Sequence, residues 1–197
     1  MPAATRLPAP ERRRQLLDTA LRVFAREGYH AASMNDVAEA AGVTKPVLYQ
    51  HFESKRERYL ELLSDVGGRL EGAIAAATDD AGGPRQQVEA GLRAYFRFVA
   101  DEREAFLLLF AGGARADEEF VAVGRKVEAS IARFVAELIA VEGLDDAQRT
   151  LLAHGVVGAA EGASRHWLTH PESVDPAALA DQVAALVWAG LRGIRQG

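Results

Sequence analysis

The chain has 197 residues, 49% of them hydrophobic, and its lack of cysteine excludes disulfides, thiolate metal sites and cysteine nucleophiles. Its net charge of −5 is uneven, since residues 1–60 carry ten Lys/Arg against seven Asp/Glu, whereas residues 61–197 carry thirteen against twenty-one. Attraction to phosphate is local and falls off over about 10 Å at moderate salt. The overall negative charge therefore does not exclude nucleic-acid binding by the first sixty residues.

The longest strongly apolar run, residues 106–114, is much shorter than the roughly 20 residues that a membrane-spanning helix needs. The first fourteen residues have no apolar core after their basic side chains and do not resemble a secretory signal. We therefore expect a cytoplasmic protein that does not span a membrane.

Apolar residues recur every three to four positions along the chain, and β-branched runs are scarce. This spacing predicts an all-α fold of about nine helices. The N-cap candidates are Ser33, Thr44, Asp145 and Asp175, because their side-chain oxygens can accept from free helix N–H groups, and Gly67-Gly68 indicates a kink. The predicted helices cover residues 10–27, 33–41, 45–52, 54 to beyond 63, 84–100, 102–110 and 117–141, and two more that start near 145 and 175.

Two of these helices are short and are joined by the tight link Ala41-Gly42-Val43. A link of this length that contains glycine allows two helices to cross steeply, as in a helix-turn-helix. Their predicted inner face packs against Leu17, Ala20 and Phe24 of the first helix, so that three helices share one small core. The members of this inner face are Met34, Val37, Ala38, Val43, Leu48 and Phe52.

The opposite face of the second short helix is predicted to be available to DNA. A lysine can donate to a guanine edge or a phosphate, a proline or valine can contact a thymine methyl, and hydroxyl and imidazole groups can bind phosphate oxygens. The alternative is that Tyr49 and His51 are ordinary half-exposed surface residues, and the helical pattern does not decide between the two. The candidate DNA-binding residues are Thr44, Lys45, Pro46, Val47, Tyr49, His51 and Lys55.

The segments FAREGY at 24–29, SMNDVAEAAGV at 33–43, TKPVLYQHF at 44–52 and SKRE at 54–57 resemble the DNA-binding domain of the tetracycline-repressor (TetR) family. The resemblance covers residues 13–63. It implies that residues 45–51 form the recognition helix, that Tyr49, His51 and Lys55 contact the phosphate backbone, and that residues 44–47 face bases or adjacent phosphates.

The resemblance also places Asn35 where some members of the family make an extra base contact. The neighbouring Asp36 is acidic and would repel phosphate unless it turns inward as a helix cap. The resemblance implies a division into a DNA-binding domain over residues 1–60 and a helical ligand-binding and dimerisation domain over residues 61–197.

The segment HGVVGAAEGAS at 154–164 places small residues close to one helical face. Each glycine inside a helix costs about 0.8–1 kcal/mol relative to alanine, so close approach of another helix is expected to compensate. A homodimer formed by the last two helices, as the resemblance implies, is one explanation. Close packing within the chain is the other.

Aromatic residues are concentrated in the middle of the chain, and the resemblance implies that this part encloses a cavity for a small-molecule effector. For each aromatic residue, membership of the core is the simpler interpretation. The pair Glu161 and Arg165 is more often a surface salt bridge than a ligand site. The candidate ligand-binding residues are Tyr95, Phe98, Phe106 and Phe110, with Trp167 closing the cavity and His154, Glu161 or Arg165 orienting the ligand.

The residues His166 and His170 lie four positions apart and could share a metal ion, but no third ligand follows at helical spacing, so no metal site is predicted. Phosphate-binding loops, nucleophile elbows and the HExxH motif are absent from the sequence. We therefore predict no enzyme activity and no cofactor.

The favoured interpretation is a homodimeric repressor that binds palindromic double-stranded operator DNA and is released by a small apolar effector. One alternative keeps the DNA-binding domain but makes the protein an activator or a regulator without an effector. Another is an all-helical small-molecule carrier or enzyme with a vestigial DNA-binding domain.

Overall fold

The computed structural model describes residues 8–110 and 117–194. These residues form nine α-helices and no strand, which confirms the predicted all-α fold. The helices are α1 (Ala9–Glu27), α2 (Met34–Ala40), α3 (Lys45–Tyr49), α4 (Lys55–Asp79), α5 (Pro84–Asp101), α6 (Arg103–Phe110), α7 (Glu118–Leu138), α8 (Asp146–Thr169) and α9 (Pro176–Gly193).

The described residues form two compact units. The first unit comprises residues 8–66, 104–110 and 117–123, and the second comprises residues 67–103 and 124–194. Residues 104–110 and 117–123, which the sequence-based division placed in the second domain, thus fall in the first unit. Helix α4 contributes its residues up to Val66 to the first unit and the remainder to the second.

The core of the first unit is the apolar contact among α1, α2, α3 and the start of α4. The predicted inner face is buried apart from Val43, which is half-buried in the link. Leu48 is fully buried and anchors α3, which has only five residues. An isolated helix of this length is unstable in water, so its conformation depends on packing.

Local side-chain chemistry sets several helix starts. Ser33 and Asp36 form a capping box at α2, and Asp145 and Gln148 form another at α8. Asp175 caps α9, so the capping bonds predicted at Ser33, Asp145 and Asp175 are confirmed. Thr44 occupies the N-cap position of α3 but makes no capping hydrogen bond.

Two glycines are required by the backbone or by packing. Gly42 in the link between α2 and α3 has φ 64°, a left-handed conformation that glycine adopts without steric cost. At Gly67 a Cβ atom would lie 2.3 Å from Cγ2 of Val127, so this glycine allows α4 and α7 to approach closely. Helix α4 continues through Gly67 and Gly68 to Asp79, and the kink expected at this pair stays a prediction.

In the second unit α5 packs against α8 and α9, with α7 and the end of α4 completing the bundle. Leu92, Val99, Ala160, Ala180 and Ala184 are among its buried residues. None of the described helices is long and apolar enough to cross a bilayer.

Candidate nucleic-acid interface and candidate ligand cavity

The face of α3 opposite Leu48 is exposed. Lys45, Pro46 and Gln50 are exposed, and 43% of Tyr49 remains accessible. Val47 and His51 are half-buried at the two sides of this face. The structure thus brings the predicted residues 44–49 together on one surface, with a lysine, a hydroxyl group and short apolar side chains available to a groove.

Phe52, three residues beyond the end of α3, lies close to two guanidinium groups. The Cζ atom of Arg58 lies 3.7 Å from the centre of the Phe52 ring, and the Cζ atom of Arg13 lies 4.6 Å from it. A cation over an aromatic face is attracted by the ring quadrupole, more strongly when the pair is shielded from water. Phe52 is therefore fixed by α1 and α4 together.

Arg13 also binds the segment that follows α3 directly. It donates Nη1–H to the His51 carbonyl oxygen at 2.6 Å. Its Nε and Nη2 donate to the two carboxylate oxygens of Glu61 at 2.8 and 2.6 Å, a bidentate pair. We name Arg13, His51, Phe52, Arg58 and Glu61 the arginine clamp. The clamp connects α1 and α4 to the residues that directly follow α3.

Arg58 is fully buried, an uncommon position for an arginine. Its Nη1 donates weakly to the Leu16 carbonyl oxygen at 3.4 Å, while Nε and Nη2 have no acceptor among the described residues. Burial lowers the pKa of Arg58 to about 10. The group stays protonated at neutral pH, so the Phe52 ring faces a cation.

The acidic residue beside the predicted base-contacting Asn35 is turned into the capping box. Asp36 accepts from the Ser33 backbone N–H at 2.7 Å, and the bonds from the Ser33 side chain and backbone hold the pKa of Asp36 below its usual range. Asn35 itself is exposed. The carboxylate is thus occupied by its cap, as required if this surface is to approach phosphate.

Lys55 has partners within the chain. Its Nζ donates to the His30 carbonyl oxygen at 3.3 Å and lies 4.5 Å from the centre of the Tyr29 ring. Its assignment to the phosphate backbone stays a prediction, since phosphate binding would compete with these contacts.

An aromatic cluster lies behind Lys55 in the first unit. Phe120, at the start of α7, lies 4.7 Å from both Tyr29 and Tyr59, measured between ring centres. Arg56 lies over Phe120 at 4.9 Å and forms ion pairs with Asp117 and Glu119. Sequence analysis missed this cluster because its members are separated by up to about ninety positions.

The second unit contains a cavity of about 350 Å³. This volume lies in the range of small-molecule sites, which are mostly apolar with a few polar groups. The cavity is lined by Ile74, Thr78, Pro84, Gln87, Val88, Gly91, Leu92, Tyr95, Ile131, Val135, Leu138, Ile139, Ala140, Val141, Val156, Val157, Ala160, Val187, Trp188, Leu191, Arg192 and Ile194.

The predicted aromatic ligand contacts are mostly placed elsewhere. Only Tyr95 lines this cavity. Phe98 is buried outside its lining, and Phe106 and Phe110 belong to the first unit, with their ring centres 4.8 Å apart. Helical periodicity identifies these residues as buried but does not say which core each one joins. The cavity wall is instead mainly aliphatic.

The predicted polar ligand contacts also lie outside the lining. His154 is exposed on α8, and Glu161 and Arg165 form the i,i+4 salt bridge that sequence analysis kept as the alternative. The Nε1 of Trp167 donates to the Val174 carbonyl oxygen at 2.9 Å, which gives this residue a structural role. A role for these residues in ligand binding stays a prediction.

The small-residue face of α8 points away from the chain. A Cβ atom added at Gly155, Gly158 or Gly162 would meet nothing within 4 Å. Close packing against residues 8–110 and 117–194 therefore does not account for these glycines. Two large apolar side chains are also exposed on the last two helices, Leu151 at 73% and Leu186 at 68%.

His166 and His170 stack at 5.0 Å between ring centres, and His170 Nδ1 lies 2.9 Å from the Thr169 hydroxyl oxygen. Within residues 8–110 and 117–194 no group of three potential metal ligands is found.

Two family models match the chain. One, described as bacterial regulatory proteins of the tetR family, matches residues 16–62. The other, described as a tetracyclin repressor-like C-terminal domain, matches residues 84–190, more than half of the chain. The two matches include α3, the clamp residues from His51 to Glu61, and most of the cavity wall.

Relatives that cover most of this chain indicate the same family. The transcriptional activator FasR of Mycolicibacterium smegmatis is 33% identical over 187 residues, which cover 94% of this chain and 85% of that protein. The structure of a TetR-like transcriptional regulator from Rhodococcus sp. RHA1 is 30% identical, with a TM-score of 0.79 over 96% of this chain and all of that one. FadR from Bacillus subtilis, solved in complex with stearoyl-CoA, shares the fold at 18% identity, with a TM-score of 0.78 over 92% of this chain and 99% of that one.

We predict that Arg13 and Glu61 stabilise the first unit as a coupled pair. In a double-mutant cycle of Arg13→Ala and Glu61→Ala, the coupling in the free energy of unfolding should be about 1 kcal/mol, because the pair is bidentate and partly shielded from water. Urea unfolding of the full chain measures it. Glu71→Ala on the same helix is the control. The prediction is wrong if the effects of Arg13→Ala and Glu61→Ala on the free energy of unfolding are additive.

Proposed function

Because the chain belongs to the TetR family of bacterial regulatory proteins and is a transcriptional regulator, we propose that it binds palindromic operator DNA as a homodimer and changes its DNA affinity when an apolar effector enters the second unit. The observation that supports this most directly is α3, which exposes a basic and polar face while the arginine clamp fixes its end. The proposal assigns the chain no catalytic activity. Since bacterial DNA lies in the cytoplasm, we place its action there.

The proposed contacts follow from the chemistry of the exposed face. Lys45 and Thr44 reach base edges or phosphates at the start of α3, Pro46 and Val47 contact thymine methyl groups, and the Tyr49 hydroxyl donates to a phosphate oxygen. Residues 1–60 are the proposed DNA-binding domain. Residues 61–197 are the proposed ligand-binding and dimerisation domain, although the described residues 104–110 and 117–123 belong to the first unit.

The proposed dimer surface consists of the exposed faces of α8 and α9. Three glycines leave the backbone of α8 accessible. Leu151 on α8 and Leu186 on α9 expose large apolar side chains. Helix glycines are unfavourable in isolation, and close approach of a partner helix would offset that cost. A dimer would present two recognition helices to successive major grooves, about 34 Å apart.

Helix α4 supplies a route from the effector to DNA. It carries Arg58 and Glu61 of the clamp and also Ile74 and Thr78 of the cavity wall. Ile74 follows Glu61 by thirteen positions, which span roughly 20 Å of helix. An effector that favours one position of α4 would therefore act on the clamp at the end of α3.

The direction of regulation has two candidates. Release of a repressor by the effector requires that the effector bind more tightly to the form with low DNA affinity. An activator is the second candidate, because the relative that is 33% identical over 94% of this chain is named as one.

We predict that Lys45→Ala weakens binding to a selected palindromic duplex about tenfold and broadens sequence preference, because a base-edge contact is lost. Fluorescence anisotropy at several salt concentrations measures both affinity and its salt dependence. Lys126→Ala removes an exposed lysine on α7 and should leave both unchanged. If random-library selection yields no palindrome, or if both variants behave alike, the proposed DNA surface is wrong.

We predict that Gly158→Leu converts the dimer to a folded monomer, because the new side chain would prevent close approach of a second α8. Light scattering gives the mass, and circular dichroism checks the fold. Gly72→Leu places the same side chain at an exposed glycine of α4 and should leave the dimer intact. A monomeric wild-type protein, or a dimeric Gly158→Leu variant, would contradict the proposed surface.

We predict that lipophilic acids, amines or phenols that raise the unfolding temperature also change operator affinity. Ligand that binds only the folded state stabilises it in proportion to ln(1 + [L]/Kd), so thermal shift detects binding. Anisotropy with saturating hits then measures coupling. Weaker DNA binding supports the repressor and tighter binding the activator, while saturating hits that leave DNA affinity unchanged exclude the effector mechanism.

A further inference from the structure

The cavity of the second unit contains one buried hydrogen-bond donor without an acceptor. The Nε1 of Trp188 is buried, and no described residue accepts from it. Buried indole N–H groups usually have a partner, because an unsatisfied donor loses its water without compensation. The chain's other tryptophan follows this rule, since Trp167 Nε1 donates to the Val174 carbonyl oxygen at 2.9 Å.

The other polar groups of the lining differ from Trp188. The Thr78 hydroxyl donates within its own helix, to the Ile74 and Ala75 carbonyl oxygens at 3.0 and 2.9 Å. The buried Tyr95 hydroxyl lies beside Ser164, and burial raises its pKa. Gln87 is half-buried in the lining, and its side-chain amide carries both donors and an acceptor, so it does not select between ligand types. Among the described lining residues, Trp188 thus supplies a buried N–H donor without an acceptor.

A cation lies one helical turn beyond this donor. Arg192 follows Trp188 by four residues on α9, also lines the cavity and is exposed to solvent. Side chains at i and i+4 share one face of a helix, so donor and cation lie along the same side of α9. The remaining wall is largely aliphatic, contributed by residues such as Val135, Val157 and Val187.

We infer that the effector is an aliphatic carboxylic acid whose oxygen accepts the Trp188 Nε1–H, whose negative charge faces Arg192, and whose chain occupies the aliphatic part of the cavity. A carboxylate has acceptors and no donor, which matches an unpaired donor beside a cation. At about 30 Å³ per small group, a cavity of about 350 Å³ holds about a dozen non-hydrogen atoms. This inference rests on the proposed effector function and specifies the ligand class of that site.

The test compares three probes of equal chain length on the full chain: decanoic acid, its methyl ester and decylamine. Calorimetry should show the acid binding most tightly. Trp188→Phe, which keeps an aromatic ring but removes the donor, should weaken the acid and the ester about tenfold each. Arg192→Gln should weaken the acid and leave the ester unchanged, which separates a free acid from an esterified one.

Indole resonances of protein labelled with ¹⁵N-tryptophan give a second measurement. Decanoic acid should shift the Trp188 Nε1–H resonance, which the Trp188→Phe variant identifies, and leave that of Trp167 in place. If the acid binds but neither this resonance nor the Trp188→Phe affinity changes, the inference is overturned while the cavity function stands. Tighter binding of the amine also overturns it. If no probe binds, the proposed effector cavity fails as well.

Discussion

The position of the recognition helix depends on the contact of Phe52 with two guanidinium groups. Helix α3 has five residues, too few to persist without tertiary contacts. At its start the chain turns through Gly42, and along its length Leu48 is fully buried. Beyond its end, Arg58 and Arg13 contact the Phe52 ring. Arg13 also donates to Glu61 and to the His51 carbonyl oxygen, and these simultaneous hydrogen bonds restrict its orientation. The exposed face of α3 is therefore oriented by residues that have no contact with DNA in the proposed complex.

Burial of Arg58 carries a cost that the structure only partly offsets. Desolvation lowers its pKa to about 10, and two of its nitrogens have no acceptor among the described residues. An aliphatic side chain of similar volume would avoid this cost, since buried charges are often no more stable than apolar replacements. It would not provide a cation over Phe52. The arginine therefore favours one orientation of the Phe52 ring, whereas an aliphatic side chain would pack well but be less directional. A helix that must fit a groove requires such a directional contact.

Sequence reasoning succeeded where the determinants are local. The N-caps at Ser33 and Asp145 and the link at Gly42 follow from residues three or fewer positions apart, and family resemblance identified α3. It failed where partners are distant: Arg13 and Glu61 are 48 positions apart, and no spacing pairs them. The aromatic residues show the same limit. Periodicity marks Tyr95 and Phe106 equally as buried, but only packing assigns the first to the cavity and the second to another core.

Because the arginine clamp and the cavity wall share helix α4, the free-energy effect that a ligand must have on this helix can be small. The contacts of Arg58 and Glu61 are directional, since a cation must stay over the ring face and a bidentate pair must keep both N–H groups aligned with both oxygens. A rotation or shift of α4 too small to disturb its apolar packing would still weaken these contacts. Because the two wall residues Ile74 and Thr78 belong to the same continuous helix, an effector would need no separate relay to reach the clamp. It would need only a few kcal/mol of preference for one position of α4 to shift the balance between two DNA affinities.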